Sequence, residues 1–441
     1  MRKTKRLTAL LLTLLMVAVF AFGALGALAE QEPIKLRFWA HWGSEQRRPT
    51  INKIVEMFNE AYKDQNIQAE YVYVPYGDIE TKMIASVTAG NPASVVITAI
   101  EDVAVKAMRN QAEDITPYLT PGIQDRFYAK YWDMASFDGK VYAIPFNTDT
   151  RLIYYNKAMF EKAGVDPAQI KTWEDFQNAC VTLDEALKDE PNYMLAFYPT
   201  LGNFGFDTIA MANGSNGIFD NNINPDKVNL TSKENVEALT FMKWFADRYG
   251  QEKVQATDAA NAGGAQDLFL SGKVAMFGHT CNYIATIAKY NDEAKVDYGV
   301  FPLPAGPSAP DGQTGAWGGG FVATVPFGTK HPKEATLLAE FIATEGAKVW
   351  AMEQKDVMCD IEANENPAMA ESVGWTEVLD LMNYTKGTRN HIFARNAGGI
   401  KDDAVNAIMK NFTATDPMTV LQEATDKINK VIEDEKFIFG F

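Results

Sequence analysis

Apolar and polar residues alternate through Ile34-Lys35-Leu36-Arg37-Phe38, the two-residue period of a half-buried strand. The following segment, RPTINKIVEMFNEAYKD, switches period and gathers Ile51, Ile54, Val55, Phe58 and Tyr62 on one helical face. A second strand is predicted in AEYVYVP, a second helix in GDIETKMIASVTAG ending on Gly90, and a third strand in the unbroken apolar run SVVITAI. Strands that alternate with helices predict a parallel sheet covered on both faces, with ligands at the carboxyl ends of its strands. Those ends are Trp39–Gly43, Pro75–Asp78 and Glu101–Asp102.

Farther along, two β-prone runs, Tyr142–Phe146 and Leu152–Tyr155, flank the polar insert Asn147-Thr148-Asp149-Thr150. A carboxylate and an amide between two buried strands call for a partner. Residues 200–265 are rich in Asn, Gly and Asp, the composition of loops that carry contacts. An amphipathic helix follows, with Val236, Leu239, Met242, Phe245 and Tyr249 on one face and a capping box expected from Thr231 and Glu234. The Pro/Gly stretch VFPLPAGPSAPDGQTGAWGGG separates two further strands, and a last helix opens with Pro417 at its first position.

The N-terminus changes the picture of where the chain works. Arg2, Lys3, Lys5 and Arg6 precede an uncharged run, and Ala27-Leu28-Ala29 has the form a signal peptidase cuts. Residues 1–29 are therefore expected to be a cleaved signal peptide and the protein exported. The alternative is a retained anchor, since Leu7 to Ala29 nearly spans a bilayer. Cleavage removes four of the 41 basic residues and none of the 57 acidic ones, taking the formal charge from −16 to −20. So acidic a surface argues against nucleic acid or anionic membrane as partner. The mature chain of about 412 residues exceeds one core, which predicts two domains. Cys180, Cys281 and Cys359 lie far apart without a C-x-x-C pattern, so at least one is a free thiol; the first lies too far along to be a lipid-bearing cysteine behind the cut.

Signatures of catalysis are missing: no H-E-x-x-H, G-x-S-x-G, P-loop or G-x-G-x-x-G occurs, and the four histidines show no metal-ligand spacing. No cofactor or metal is expected. What stands out is a set of aromatic and polar residues at strand ends and loops: Trp39, His41 and Trp42; Asn147 and Asp149; Phe204, Asp207 and Asn213; and Trp317 among glycines. Sugars present apolar C–H faces beside hydroxyls, so a sugar site needs aromatic platforms with Asp, Asn and Glu alongside. Each residue also has a plainer role, as core, loop cap or linker.

Longer stretches carry a resemblance. IASVTAGNPASVVITAIEDV with AEDITPYL, then DGKVYAIPFNTDTRLIYYNKAMFEKAGVD with TWEDF, then LFLSGKVAMFG, VDYGVFPLP and HPKEATLLAEFIAT occur in that order across residues 34–432. In this the chain resembles the extracellular solute-binding proteins of ABC importers, in particular the sugar-binding, maltose-binding-protein-like group. The resemblance implies a type II periplasmic-binding-protein fold: two α/β lobes, each a sheet flanked by helices, with a ligand cleft at the hinge. It implies residues 30–147 plus about 302–365 in the first lobe and 148–301 plus about 366–441 in the second. PFNTDTR becomes the first crossover and VFPLP through GAWGGGFVAT a return, with Trp317 a stacking platform. The ligand-binding set so implied is Trp39, His41, Trp42, Tyr76, Glu101, Asn147, Asp149, Asp207, Asn213, Asn282, Trp317, Gly318, Gly319 and Arg395. Three departures accompany it: Ala93-Ser94 stand where the family has Asp, His279 and Asn282 stand near the family's sugar-contacting Trp, and a lipid-attachment cysteine is lacking.

The function so implied is capture of a carbohydrate, an oligosaccharide, by a monomer that passes it to a membrane permease without making or breaking a bond. The alternatives are a polyamine or peptide as ligand, to which Glu101, Asp149 and Asp207 would suit a cation, and an exported glycoside hydrolase using two carboxylates.

Overall fold

In a computed structural model, which describes residues 32–440, the chain forms two α/β lobes. The expected signal peptide, residues 1–29, lies outside the described residues. No helix among the described residues is long and apolar enough to cross a membrane.

The first lobe is built on β1 (Ile34–Ala40), β2 (Ile67–Tyr73) and β3 (Val95–Ala99), joined through helices α1 (Arg47–Ala61) and α2 (Tyr76–Thr88) and followed by the short α3 (Val103–Met108). β1 buries Leu36, Phe38 and Ala40 and exposes Lys35, as its alternation predicts. α1 buries Ile51, Ile54, Val55 and Phe58 on one face. β1 pairs in parallel with both β2 and β3.

The expectation of a wholly parallel sheet fails beyond β3. β4 (Ala143–Thr148) lies in the same six-stranded sheet and is buried at every position. After it the chain leaves, forms the second lobe, and re-enters from the opposite direction. The returning strands β8 (Gly320–Thr324) and β9 (Val357–Met358) therefore join antiparallel, in the order β9-β4-β8-β3-β1-β2. Pro145 sits inside β4, where it has no N–H for the ladder. The register of β8 shifts opposite it, between Phe321 and Val322.

The second lobe has a three-stranded antiparallel sheet, with β5 (Arg151–Asn156) between β6 (Met276–Thr280) and β7 (Tyr298–Phe301). Sheet membership thus changes across the two residues Asp149 and Thr150. Helix α4 (Trp173–Leu187) presents Phe176 to Phe301 of β7 and to Phe241 and Phe245 of α6 (Lys233–Ala259), with α5 (Gly205–Ala212) alongside. α6 is capped by Ser232, which accepts from the Asn235 amide, so the cap falls one residue after the Thr231 of the expected capping box. Gly250, at φ 72°, breaks the same helix. α8 (Ala397–Met409) and α9 (Pro417–Phe439) pack on each other and on α6, completing this lobe. Between β8 and β9, α7 (Glu345–Gln354) sends Trp350 into the first-lobe core. Cys180, Cys281 and Cys359 are all buried and free.

Candidate ligand cleft between the lobes

The polar insert between β4 and β5 is where the two lobes are tied. Arg151, only 4% exposed, donates to Asp149 Oδ1 at 2.6 Å and to the Trp317 carbonyl at 2.9 Å. Its guanidinium also lies over the Trp317 ring, 4.0 Å from the centroid. Asp149 Oδ1 accepts a further bond from the Gly319 amide at 2.9 Å. One carboxylate thus pins the outgoing crossover to the returning one. Gly318 is required here because a Cβ would sit 2.3 Å from the Asp149 carbonyl oxygen.

Beside this knot lies a cavity of about 270 Å³ with walls from both lobes. Glu101 comes from the end of β3 in the first lobe; Asp207 from α5, Lys401 from α8 and the loop of Asn216, Phe219 and Asn222 come from the second. Trp317 lines it, as do Thr388, Arg389, Asn390 and Arg395 of a third connection. With Arg151 over one face of the indole, the tryptophan offers its remaining surface to the cavity, and its Nε1 donates to Thr388 Oγ1 at 3.0 Å.

The charges of this cleft are mostly matched internally. Lys401, 5% exposed, pairs with Asp207 and with Asp402; burial acts to lower its pKa, but the two carboxylates outweigh it and raise it. Arg395 reaches Asp102 at 3.0 Å and Glu80 at 3.2 Å. Burial alone would raise Asp102, yet Lys106 and Arg395 hold it below the usual carboxylate range. Arg389, which bonds the Asp133 and Ser136 carbonyls, and Glu101 are the exceptions. Burial pushes the Glu101 carboxyl up to about 7, with Asp102 and Asp149 adding to the rise and a bond to its own backbone and Lys106 opposing it. Among the described residues no group of His, Cys, Asp or Glu could hold a metal ion.

Of the fourteen residues expected at the site, Glu101, Asp207, Trp317 and Arg395 line this cavity. The other ten lie elsewhere in the structure. Trp42 is 2% exposed, packed between Trp350 (4.3 Å between ring centroids) and Phe146 (5.1 Å), because the chain after β1 turns back into the core. Trp39 packs against the satellite core of Val74, Met83 and Val96. Asn213 is fully buried and bonds Glu237 and the Ser308 amide, holding one loop to another. Asn147 is 7% exposed and donates to Asp356 Oδ2 at 2.8 Å, inside the first lobe. Asp149, Gly318 and Gly319 serve the crossover knot described above. Asn282 accepts from Thr280 Oγ1 at 2.5 Å and does not line the cavity.

His41 and Tyr76 stand apart from the cavity but do meet. With Phe321 they form an aromatic cluster at the carboxyl ends of the first-lobe strands, with centroids 4.6 Å (His41–Phe321) and 5.1 Å (His41–Tyr76) apart. Burial, then Arg47, lowers His41 to about 4, so the ring is neutral near pH 7. Tyr76 is 62% exposed. The residues missed by sequence reasoning are those of the third connection, Thr388–Asn390, and Lys401. The Asn/Gly-rich composition of residues 200–265 did mark the loop that supplies Asn216 and Asn222.

A larger groove, about 720 Å³, lies between α4 and α6, floored by Trp173 and Phe241 with Trp244 at its rim, and walled by residues 305–307, which bonds from Trp173 to the Pro304 carbonyl and from the Ser308 amide to Asn213 hold against the second lobe. Its walls cannot move apart by hinge motion, and its Glu237 is already engaged by Asn213 and Ser308. The interlobe cavity is the better candidate.

Known proteins give this geometry a context. Residues 42–349 match the family model for bacterial extracellular solute-binding proteins. An arabinooligosaccharide-binding protein of Bacillus subtilis (strain 168) is 26% identical over 349 residues, 76% of this chain and 73% of that protein. Maltodextrin-binding protein MdxE of the same organism is 28% identical over 260 residues, 58% of each chain. The solved structure of CpMnBP1 with mannobiose bound matches at a TM-score of 0.77 and 20% identity, covering 90% of this chain and 100% of that one. The sugar-binding protein MalE from the phytopathogen Xanthomonas citri matches at 0.74 and 17%, covering 92% and 99%. These likenesses establish the two-lobed, type II periplasmic-binding-protein fold. With its model matching most of the chain, the protein belongs to the bacterial extracellular solute-binding proteins.

Proposed function

We propose that this protein is the substrate-binding component of an ABC importer, capturing an uncharged carbohydrate, an oligosaccharide, between its lobes and delivering it to a membrane permease. The observation that carries the reading is the interlobe cavity itself. It joins a tryptophan face to a wall rich in asparagine, while Asp207–Lys401 and Asp102–Arg395 leave little net charge for an ionic ligand. Relatives named for arabinooligosaccharides and maltodextrin support the same ligand class. The ligand contacts are Trp317, Glu101, Asp207 and Arg395, together with Asn216, Asn222 and Asn390.

Capture is by closure: each wall alone is a shallow surface, and a ligand that touches both favours the arrangement in which they face each other. No covalent step is required of any residue. A polyamine would need several unmatched carboxylates; Asp207 and Asp402 share Lys401, which leaves Glu101 alone. The division into residues 30–147 plus about 302–365 and 148–301 plus about 366–441 is part of the proposal; the change of sheet across Asp149 and Thr150 supports its first boundary, while the bonds of Pro304 and Ser308 to the second lobe move the return from about 302 to near Trp317. So are export behind a cleaved signal of residues 1–29 and action as a monomer.

The test is a thermal-shift screen of residues 30–441 against oligosaccharides, polyamines and short peptides, with the sugars recovered afterwards. A native-state ligand at ~100 times its dissociation constant stabilises by ~2.7 kcal/mol. A shift with intact oligosaccharides supports the reading; a shift with spermidine or peptides alone, or recovery of cleaved sugar, overturns it.

A further inference from the structure

Two kinds of contact join the lobes. Most lie within a few residues of a crossover: Thr150 to Thr385 at 2.7 Å between hydroxyls, and Asn390 to Asp102 at 2.7 Å. Chain connectivity keeps such pairs close whatever the lobes do. One contact is different.

Arg109, just past the end of α3 in the first lobe, meets the tip of α9 in the second. Its Nη2 donates to Glu435 Oε2 at 2.9 Å, a bond between residues 326 positions apart. The guanidinium also lies over the Phe439 ring, 5.5 Å from the centroid. Phe439 in turn packs on Phe393, 6.3 Å between centroids, beside the connection that bears Arg395. Arg109 and Glu435 are about two-thirds to three-quarters shielded from solvent, at 27% and 31% exposed. Loss of this contact would not break any backbone connection or uncover either sheet. The contact exists only while the lobes hold this arrangement.

We propose that Arg109, Glu435 and Phe439 form an electrostatic latch that, independently of ligand, biases the two lobes toward the arrangement described here, in which both wall the cavity. Its consequence is specific. Affinity for a ligand without charge becomes dependent on ionic strength, because salt screens the latch and not the ligand contacts. A partly exposed ion pair shifts a two-state equilibrium about two- to fivefold, and apparent affinity follows the fraction of molecules able to close. The inference rests on the two-lobed fold and not on which solute is bound.

The closing experiment needs no ligand. The three native cysteines are buried, so spin labels at Lys82→Cys and Lys227→Cys, exposed positions on opposite lobes, report the interlobe distance by pulsed dipolar spectroscopy. Arg109→Glu and Glu435→Arg are each expected to move population to longer distances, about two- to fivefold in ratio. The double charge swap restores the wild-type distribution, and 1 M NaCl opens the wild type but not the single variants. Thermal unfolding of each variant confirms a folded chain. Unchanged distances in both single variants, or a swap that fails to restore them, would overturn the latch. A failed sugar screen with a working latch would overturn only the ligand assignment.

Discussion

The interlobe cleft and the groove on the second lobe are made of the same materials. Each sets tryptophan against carboxylates and small polar groups, and the groove, at about 720 Å³ against 270 Å³, is the roomier. They differ in who owns the walls. The groove is cut between α4 and α6 of one lobe, and the buried floor residues Trp173 and Phe241, 4.4 Å between centroids, hold those helices together. The cleft draws Glu101 from one lobe and Asp207 and Lys401 from the other, so its walls form one surface only while the lobes are together. Composition does not separate a binding site from a packing seam. Ownership by two movable bodies does.

Substitutions can break or sharpen that contrast, and the largest effect belongs to the groove. Trp173→Ala should destabilise the protein by ~3–5 kcal/mol, the range for truncating a buried large aromatic, with ligand affinity of the folded fraction unchanged. Chemical denaturation beside calorimetric titration reads both. In the cleft the pattern reverses: Trp317→Ala should weaken sugar binding by ~1–3 kcal/mol and cost less in stability, since truncating a central aromatic anchor removes contact area the ligand uses. If Trp317→Ala instead unfolds the chain without touching affinity, the two regions are not different in kind.

Lys401→Met leaves Asp207 and Asp402 facing each other unmatched, and should lower stability by ~1–3 kcal/mol as well as affinity. The double variant with Asp207→Asn should recover most of the stability but not the binding. Glu101 gives a pH signature. Its folded pKa is raised to about 7 from an ordinary 4.5, so the folded state holds the proton more tightly. The associated stability is fully present below about pH 4.5 and is lost as pH rises through 7. Glu101→Gln should therefore match the wild type at low pH and exceed it by ~3 kcal/mol at pH 8, measured by urea denaturation across that range. The smallest effect is expected at the groove rim: partly buried Trp244→Ala should change affinity by less than ~0.5 kcal/mol.

Much of the first lobe was legible because its elements are periodic and local. The alternation of Leu36, Phe38 and Ala40 and the face of Ile51, Ile54 and Phe58 name their buried sides directly. The polar insert was legible as an anomaly, and Asp149 does sit at the crossover. Its partner was not legible: Arg151 lies two residues away, yet the Trp317 carbonyl and Gly319 amide that complete the knot come from about 170 positions downstream. The same limit caught the tryptophans. Trp39, Trp42 and Trp317 are indistinguishable as letters, and only packing against Trp350 and Phe146 makes Trp42 core.

By itself, then, the amino-acid order determined the alternation of strands and helices, the two-body organisation and the family, because each follows from periodicity or from motifs a few dozen residues long. The tertiary structure alone decided that the sheet is mixed, that Asn147 bonds Asp356 and Asn213 bonds Glu237, and that Lys401 and residues 388–390 line the interlobe cavity. Those outcomes depend on which distant segments return to the same place. Side-chain burial and charge pairing are properties of neighbours in space, and the neighbours of Trp317, Glu101 and Asp207 are not their neighbours in sequence.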